Sequence, residues 1–200
     1  MKKYTALFCR KDSDYKLRKE WDVYDVRRDA LTFDKDVPVV CHPPCRFWGK
    51  MSHLAGRSGK LTPEQIEKER SMAPWSVNKV REVGGVVEHP STSKLFKELP
   101  SVGSIDSYGG FVVEIDQYDF GHVAHKSTKL YIVGLNYNDL PPFPPKDESI
   151  HYDETGQRRS IAGNVPGTVR CTQKQREYTP GGLIDWFEKV LSKIILNQSG

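Results

Sequence analysis

The sequence contains few cysteines and no long apolar run, and both shortages restrict what the protein can be. Its four cysteines are too few and too unevenly spaced for a disulfide framework, so we expect them to be free thiols. No apolar stretch approaches the length that crosses a bilayer, and the N-terminus leads into a strand-like segment without a signal peptide or anchor. These features predict a cytoplasmic protein with no membrane contact.

The composition is that of a folded chain with only a modest excess of positive charge. Hydrophobic residues make up 37% and charged residues 28%, which excludes an intrinsically disordered protein. The length of 200 residues suits one core, and no internal repeat is visible, so we predict a single domain over residues 1–200. The net charge of +4 permits a polyanionic partner without requiring one. The sequence does not indicate the oligomeric state.

Short apolar runs predict strands, and one long segment predicts a helix between two of them. Residues 37–41 are continuously apolar, as in a strand covered on both faces, and the His-Pro-Pro of residues 42–44 ends that strand. A helix is predicted from Thr62 to residue 83, with a kink or break at Pro74 and a stop at two glycines. The predicted strands are residues 5–9, 21–26, 37–41, 86–88, 110–116 and 129–134.

The order of these elements predicts an α/β domain. The helix and its flanking strands form a βαβ unit, whose right-handed crossover makes the two strands parallel. Residues 136–178 are loop-rich, polar and basic, and residues 180–196 are expected to form a C-terminal amphipathic helix. The apolar stripe of this last helix consists of Leu183, Ile184, Phe187, Val190, Leu191, Ile194 and Ile195.

Chemistry-bearing side chains follow two of the predicted strands. Residues His42, Cys45 and Arg46 follow one strand, and Glu88 and His89 follow another. Ligands of open parallel sheets bind outside the carboxyl ends of the strands, so neighbouring strands would bring these groups to one rim. Two prolines place Cys45 in a rigid loop, and Arg46 is expected to favour its thiolate. We therefore predict that Cys45 is a reactive nucleophile. For Glu88 two roles stay open: part of the reaction, or a solvated carboxylate at a strand end.

Metal binding is not predicted. The Cys41-x3-Cys45 spacing lacks a second pair of ligands, so the histidines are expected to form hydrogen bonds within the site or to be structural. The candidate metal ligands in the sequence are Cys41, Cys45, His42, His53, His89, His122 and His125.

Three ordered stretches resemble the catalytic half of DNA cytosine-5 methyltransferases. Residues 39–45 are similar to the family's strand followed by Pro-Cys, and residues 86–90 to its strand ending in Glu-Asn-Val. Residues 115–134 are similar to a stretch with Tyr-Gly, a basic motif and a strand ending in glycine. The likeness covers roughly residues 37–134, and the chain also resembles small phage or prophage proteins of this type. It implies a Rossmann-like methyltransferase fold.

The resemblance also implies a reaction and a set of site residues. A cysteine thiolate adds to carbon 6 of cytosine, and carbon 5 then attacks the methyl group of S-adenosylmethionine. A carboxylic acid stabilises ring nitrogen 3, best with a pKa raised by burial. The implied catalytic residues are Cys45, Glu88 and His89. The implied substrate-binding residues are His42, Arg46, Gln117, His122 and Lys126, and the implied cofactor-binding residues are Phe8, Asp25 and Pro43.

The sequence departs from this family in ways that leave other functions open. Residues 8–14 contain no glycine where the family has a glycine-rich turn for S-adenosylmethionine, and no target-recognition domain is present. We expect the substrate to be DNA or a pyrimidine nucleotide, in a bacterial host cell if the chain is phage-encoded. One alternative is base modification at the same site without S-adenosylmethionine. Another is a degenerate phage protein that binds DNA or a host defence protein through arginines Arg158, Arg159, Arg170 and Arg176.

Overall fold

The structure is a computed structural model that describes residues 2–49, 52, 55, 61–147, 152–153, 155–161 and 165–199. Within these residues, six strands form one sheet: β1 (Tyr4–Leu7), β2 (Trp21–Val23), β3 (Val39–Cys41), β4 (Gly85–Pro90), β5 (Phe111–Asp116) and β6 (Ser127–Val133). The described α-helices are α1 (Pro63–Val83), α2 (Gln173–Glu177) and α3 (Gly181–Gln198), and short 3₁₀ helices lie in the connections between elements. A separate parallel pair joins β7 (Arg159–Ser160) to β8 (Val169–Arg170).

The sheet is mostly parallel, with one strand reversed. Its order is β2-β1-β3-β4-β6-β5. The first four strands in this order pair in parallel, and β6 pairs antiparallel with both β4 and β5. Gly85 opens β4 with a φ of 131°, and a Cβ at this position would overlap the backbone of Val39. A glycine is therefore needed where β4 comes close to β3.

Helices cover both faces of the sheet, and side chains alternate between the two cores. Ala6, Val40 and Val86 belong to the core that α3 covers, whereas Val39 and Val87 belong to the core that α1 covers. Six of the seven predicted apolar residues of α3 are fully buried, and Ile195 is partly buried. The prediction of an α/β domain with a mostly parallel sheet flanked by helices is confirmed.

The helix α1 matches its predicted limits but is not broken. The Thr62 side chain accepts a hydrogen bond from the amide of Gln65, which in turn caps the Thr62 amide, and this capping box fixes the start of the helix. The helix continues through Pro74, so the expected break does not occur. Among the described residues, no helix has the length and apolarity needed to span a bilayer.

The basic segment before α3 contains more order than a loop. Besides β7 and β8 it contains α2, which was not predicted and which begins with a second capping box, at Thr172. Arg159 pairs with Asp153, whereas Arg170 is exposed.

Candidate functional site

The candidate site lies at the carboxyl ends of β1, β3 and β4. The strand order changes direction between β1 and β3, which are neighbours although β2 separates them in sequence. The amide of His42, directly after β3, donates a hydrogen bond to the carbonyl of Leu7 at the end of β1. Ligand sites of open α/β sheets are found at such a reversal. The loop that carries Cys45 starts here.

Strand alternation brings the polar residues of this rim to one face. His42 follows Val40 by two positions and Glu88 follows Val86 by two, so both side chains lie on the face that α3 covers. The ring of His42 is 6.1 Å from that of Phe187 on α3. The neighbouring strands β3 and β4 thus hold the imidazole and the carboxyl side by side.

A chain of hydrogen bonds connects these groups across five segments of the chain. The Nδ1 of His42 lies 3.1 Å from Oε2 of Glu88, and its Nε2 lies 2.9 Å from the hydroxyl of Tyr15. The Nε2 of Gln117 donates to Oε1 of Glu88 at 2.8 Å and to the hydroxyl of Thr128 at 3.0 Å. All five side chains are buried or nearly so. Both carboxyl oxygens of Glu88 therefore have a hydrogen-bond partner, which fixes the position of the group.

Glu88 is ionised in this arrangement. Burial raises its pKa, but the positive charge of Lys126 and the hydrogen bond from His42 outweigh burial and lower the pKa to about 2. The carboxylate accepts hydrogen bonds only, so Nδ1 of His42 carries the shared proton and Gln117 presents its amino group. The pKa shift of Glu88 is thus opposite to the expected elevation. The reason is the charge of Lys126, whose proximity to Glu88 no local sequence pattern indicates.

Cys45 lies in the loop after β3 with its side chain accessible to solvent, unlike the buried Cys9, Cys41 and Cys171. A tight turn follows, in which the carbonyl of Cys45 accepts from the amide of Trp48 at 3.0 Å. Partial burial of the thiol and the charge of Glu88 raise its pKa, whereas Lys126 lowers it. The thiol, the carboxylate and the ammonium group are thus electrostatically coupled at one place.

Arg46 does not play the part expected of it beside the thiol. Its guanidinium points away to α1, where Nε lies 3.3 Å from the carboxylate of Glu69. Lys126 supplies the positive charge that acts on Cys45. Its ammonium group also lies 3.4 Å from the carbonyl of Tyr178, just before α3.

His89 lies on the opposite face of β4 from Glu88. Its Nδ1 is 2.7 Å from the hydroxyl of Ser93, and its Nε2 has no hydrogen bond among the described residues, although it faces the carbonyls of Pro43 and Pro44. Burial lowers its pKa to about 4, against the opposing effects of the Glu88 carboxylate and the two carbonyls. His89 is therefore neutral and supports the Cys45 loop from behind.

His122 connects the loop after β5 to α2. Its Nδ1 lies 2.8 Å from the carbonyl and 3.1 Å from the amide of Ala124, and its Nε2 lies 2.8 Å from the carbonyl of Gln175. Burial and the nearby Lys126 lower its pKa, against the opposing effect of the two carbonyls. The side chain is buried and both nitrogens are engaged, so the geometry gives His122 a structural role beside the site.

The residues after β1 do not form the pocket that S-adenosylmethionine needs. Phe8 has the only left-handed backbone among described non-glycine residues, with φ of 60°, at the place where the family has glycine. The Asp25 carboxylate, which would accept hydrogen bonds from a ribose, is paired with Lys16. Tyr15 is fully buried and fills the space over His42. These residues do not fit the cofactor.

Two members of the site were not identified in the sequence. Tyr15 lies in a short 3₁₀ helix with no periodic pattern, and Thr128 lies at the start of β6. The sequence pattern does indicate the position of Thr128. It precedes the core residue Leu130 by two positions, so its side chain lies on the same face of β6. No signal marks Tyr15.

The described part of the chain contains no cluster of three or more His, Cys, Asp or Glu side chains that suits a metal ion. The candidate ligand His53 lies outside the described residues. No protein-family model matches the chain, and no curated protein matches it.

Proposed function

We propose that this protein modifies a pyrimidine base, cytosine, at carbon 5, with Cys45 as the nucleophile and Glu88 as its proton-transfer partner. The observation that carries the proposal is the coupling of an accessible thiol, a fixed carboxylate and the Lys126 ammonium at one strand-end rim. The strand order and the helices on both faces support a Rossmann-like methyltransferase fold. The free thiols suit a cytoplasmic setting.

In this proposal the thiol adds across the conjugated ring. The bond from Sγ to carbon 6 forms, the π electrons move towards nitrogen 3, and nitrogen 3 takes up a proton. Cys45 is protonated at rest because its pKa is raised, and Glu88 is a carboxylate because its pKa is lowered. Glu88 therefore carries the proton from the thiol to nitrogen 3. The ammonium of Lys126 stabilises the negative charge during the transfer.

The adduct makes carbon 5 nucleophilic, and any electrophile in reach can then attach to it. The smallest such electrophile is a proton from water: carbon 5 takes up one proton, loses the other, and the Sγ–carbon 6 bond breaks. Because the residues after β1 do not fit S-adenosylmethionine, the proposal favours modification independent of that cofactor, with a different one-carbon donor as the electrophile.

Deuterium exchange tests the proposal without any donor. The protein is incubated with deoxycytidine monophosphate or cytosine-containing single-stranded DNA in heavy water, and loss of the carbon 5 proton signal is followed by NMR. Wild type should exchange the proton, and Cys45→Ser should not. Cys171→Ser is the matched control, since that thiol is buried away from the rim, and it should exchange like wild type. Absence of exchange in wild type would favour a binding protein without catalysis.

A further inference from the structure

A groove of about 800 Å³ lies between α1 and the turn that follows Cys45. Its walls combine aromatic rings with cations. The residues that line it include Phe47, Trp48, Trp75, Arg70, Lys94 and Glu67. A volume of this size is in the range of roughly 300–1,000 Å³ that holds organic ligands.

The turn joins this groove directly to the proposed nucleophile. The amide of Trp48 donates to the carbonyl of Cys45 at 3.0 Å, and the carbonyl of Trp48 accepts from the amide of Lys94 at 2.8 Å. A ligand in the groove therefore lies next to the chain segment that carries the thiol.

An irregularity in α1 holds one aromatic wall in place. Pro74 has no N–H group and cannot bond to the carbonyl of Arg70, four residues earlier in the helix. The indole Nε1 of Trp48 donates to this carbonyl at 3.3 Å. The proline thus leaves an acceptor free, and the ring of Trp48 is fixed against the helix. Trp75, one residue further along, makes an edge contact with Phe8 at 5.7 Å.

The charges of the groove complement a phosphate backbone. The guanidinium of Arg70 lies 5.3 Å from the ring centre of Phe47, and the ammonium of Lys94 is 2.8 Å from the hydroxyl of Ser52. Neither cation forms an ion pair within the described parts of the chain, and one carboxylate, that of Glu67, opposes them. Aromatic rings that stack on bases, together with cations along the strand, are the features of single-strand binding.

We infer that this groove binds the single-stranded nucleic acid that flanks the target pyrimidine. The inference rests on the proposed function and names its substrate: a base in a single strand, whose neighbours stack on Trp48 and Trp75. In a duplex the bases already stack on one another and cannot use these rings.

The test is fluorescence anisotropy with a fluorescein-labelled, cytosine-containing single strand, in parallel with the same sequence as a duplex. Wild type should prefer the single strand. Trp75→Ala should raise the Kd roughly tenfold, as loss of one stacked base does. The double charge reversal of Arg70→Glu and Lys94→Glu should raise it further and flatten its dependence on salt. Lys97→Glu, an exposed reversal in the same 3₁₀ helix, Lys94–Lys97, should bind like wild type.

The two surface reversals keep the inference testable if Trp75→Ala fails to fold, which circular dichroism would show. Binding as strong in the double reversal as in wild type overturns the inference, as does equal wild-type affinity for the duplex. If the protein exchanges free deoxycytidine monophosphate but binds no single strand, the inferred role of the groove is wrong and the proposed function stands. If it binds a single strand through the groove but exchanges no substrate, the proposed function is wrong and the inferred role of the groove stands.

Discussion

Glu88 and His42 form a hydrogen bond of 3.1 Å across two neighbouring parallel strands, and this bond is the centre of the candidate site. His42 comes two positions after Val40, and Glu88 comes two positions after Val86. Val40 and Val86 are paired in the sheet, so this pairing alone brings His42 and Glu88 side by side. Gln117 holds the other carboxylate oxygen. The carboxylate therefore has a fixed position and charge before any substrate arrives, which is the condition for electrostatic preorganisation.

Lys126 should control the reactivity of Cys45. Its charge lowers the pKa of the thiol, so Lys126→Met should raise that pKa further and slow alkylation of Cys45 by iodoacetamide by roughly tenfold near neutral pH. Peptide mass spectrometry follows Cys45 separately from the buried cysteines. Lys129→Met is the matched control on β6, the strand that follows Lys126. Lys129 lies 3.9 Å from Glu114, so its loss should leave the reaction rate of Cys45 like that of wild type. Equal rates in Lys126→Met and wild type would contradict the coupling.

The strand-end residues were predictable because a strand positions its side chains with a period of two. The apolar runs before His42 and Glu88 fix which face each side chain takes, and both lie at strand ends. Gln117 follows the same rule after Ile115. The sheet class and the limits of α1 were predictable for similar reasons, since caps and apolar runs are local signals.

Contacts between distant segments were not predictable from such local patterns. Arg46 is next to Cys45 in sequence, yet the turn after the prolines directs it to Glu69. Lys126 supplies the positive charge near Cys45 instead of Arg46. It comes near because β6, the strand that follows it, pairs with β4, and no local sequence pattern encodes this pairing. Tyr15 reaches His42 from a short 3₁₀ helix. Tertiary packing therefore decided the charges of the site, and with them the direction of the pKa shift of Glu88.

His89 should make the fold lose stability in mild acid. Its folded pKa is about 4, below the ordinary 6.5, so the unfolded chain takes up the proton first and stability falls as pH drops from about 6.5 to about 4. The loss between pH 7 and pH 5 should be about 2 kcal/mol. Glu88 acts in a different window, because its lowered pKa removes stability only below about 4.5.

Urea unfolding at pH 7 and pH 5 measures this effect. His89→Gln keeps a polar side chain near Ser93 but cannot titrate, so its two free energies of unfolding should differ less than those of wild type. His125→Gln replaces an exposed histidine and should keep the wild-type difference. A wild-type difference that survives in His89→Gln would assign the acid sensitivity to another group.

Tyr15 should act on the reaction through His42 rather than through packing alone. Burial raises the pKa of Tyr15 well above 10, so its hydroxyl keeps its proton and donates to Nε2 of His42. That bond holds the tautomer in which Nδ1–H points at Glu88. Without it the imidazole can also adopt the tautomer that no longer donates to Glu88. Tyr15→Phe should therefore lower the kcat of exchange more than it changes KM.

The matched control is Tyr4→Phe, which removes another tyrosine hydroxyl bond, 2.8 Å to Ser192, in the same core but away from the rim. Each substitution should cost about 1 kcal/mol of stability, the usual value of one such bond. Only Tyr15→Phe should lower the kcat of exchange. If both variants lose stability and neither lowers kcat, Tyr15 is a packing residue, and Glu88 alone sets the tautomer of His42.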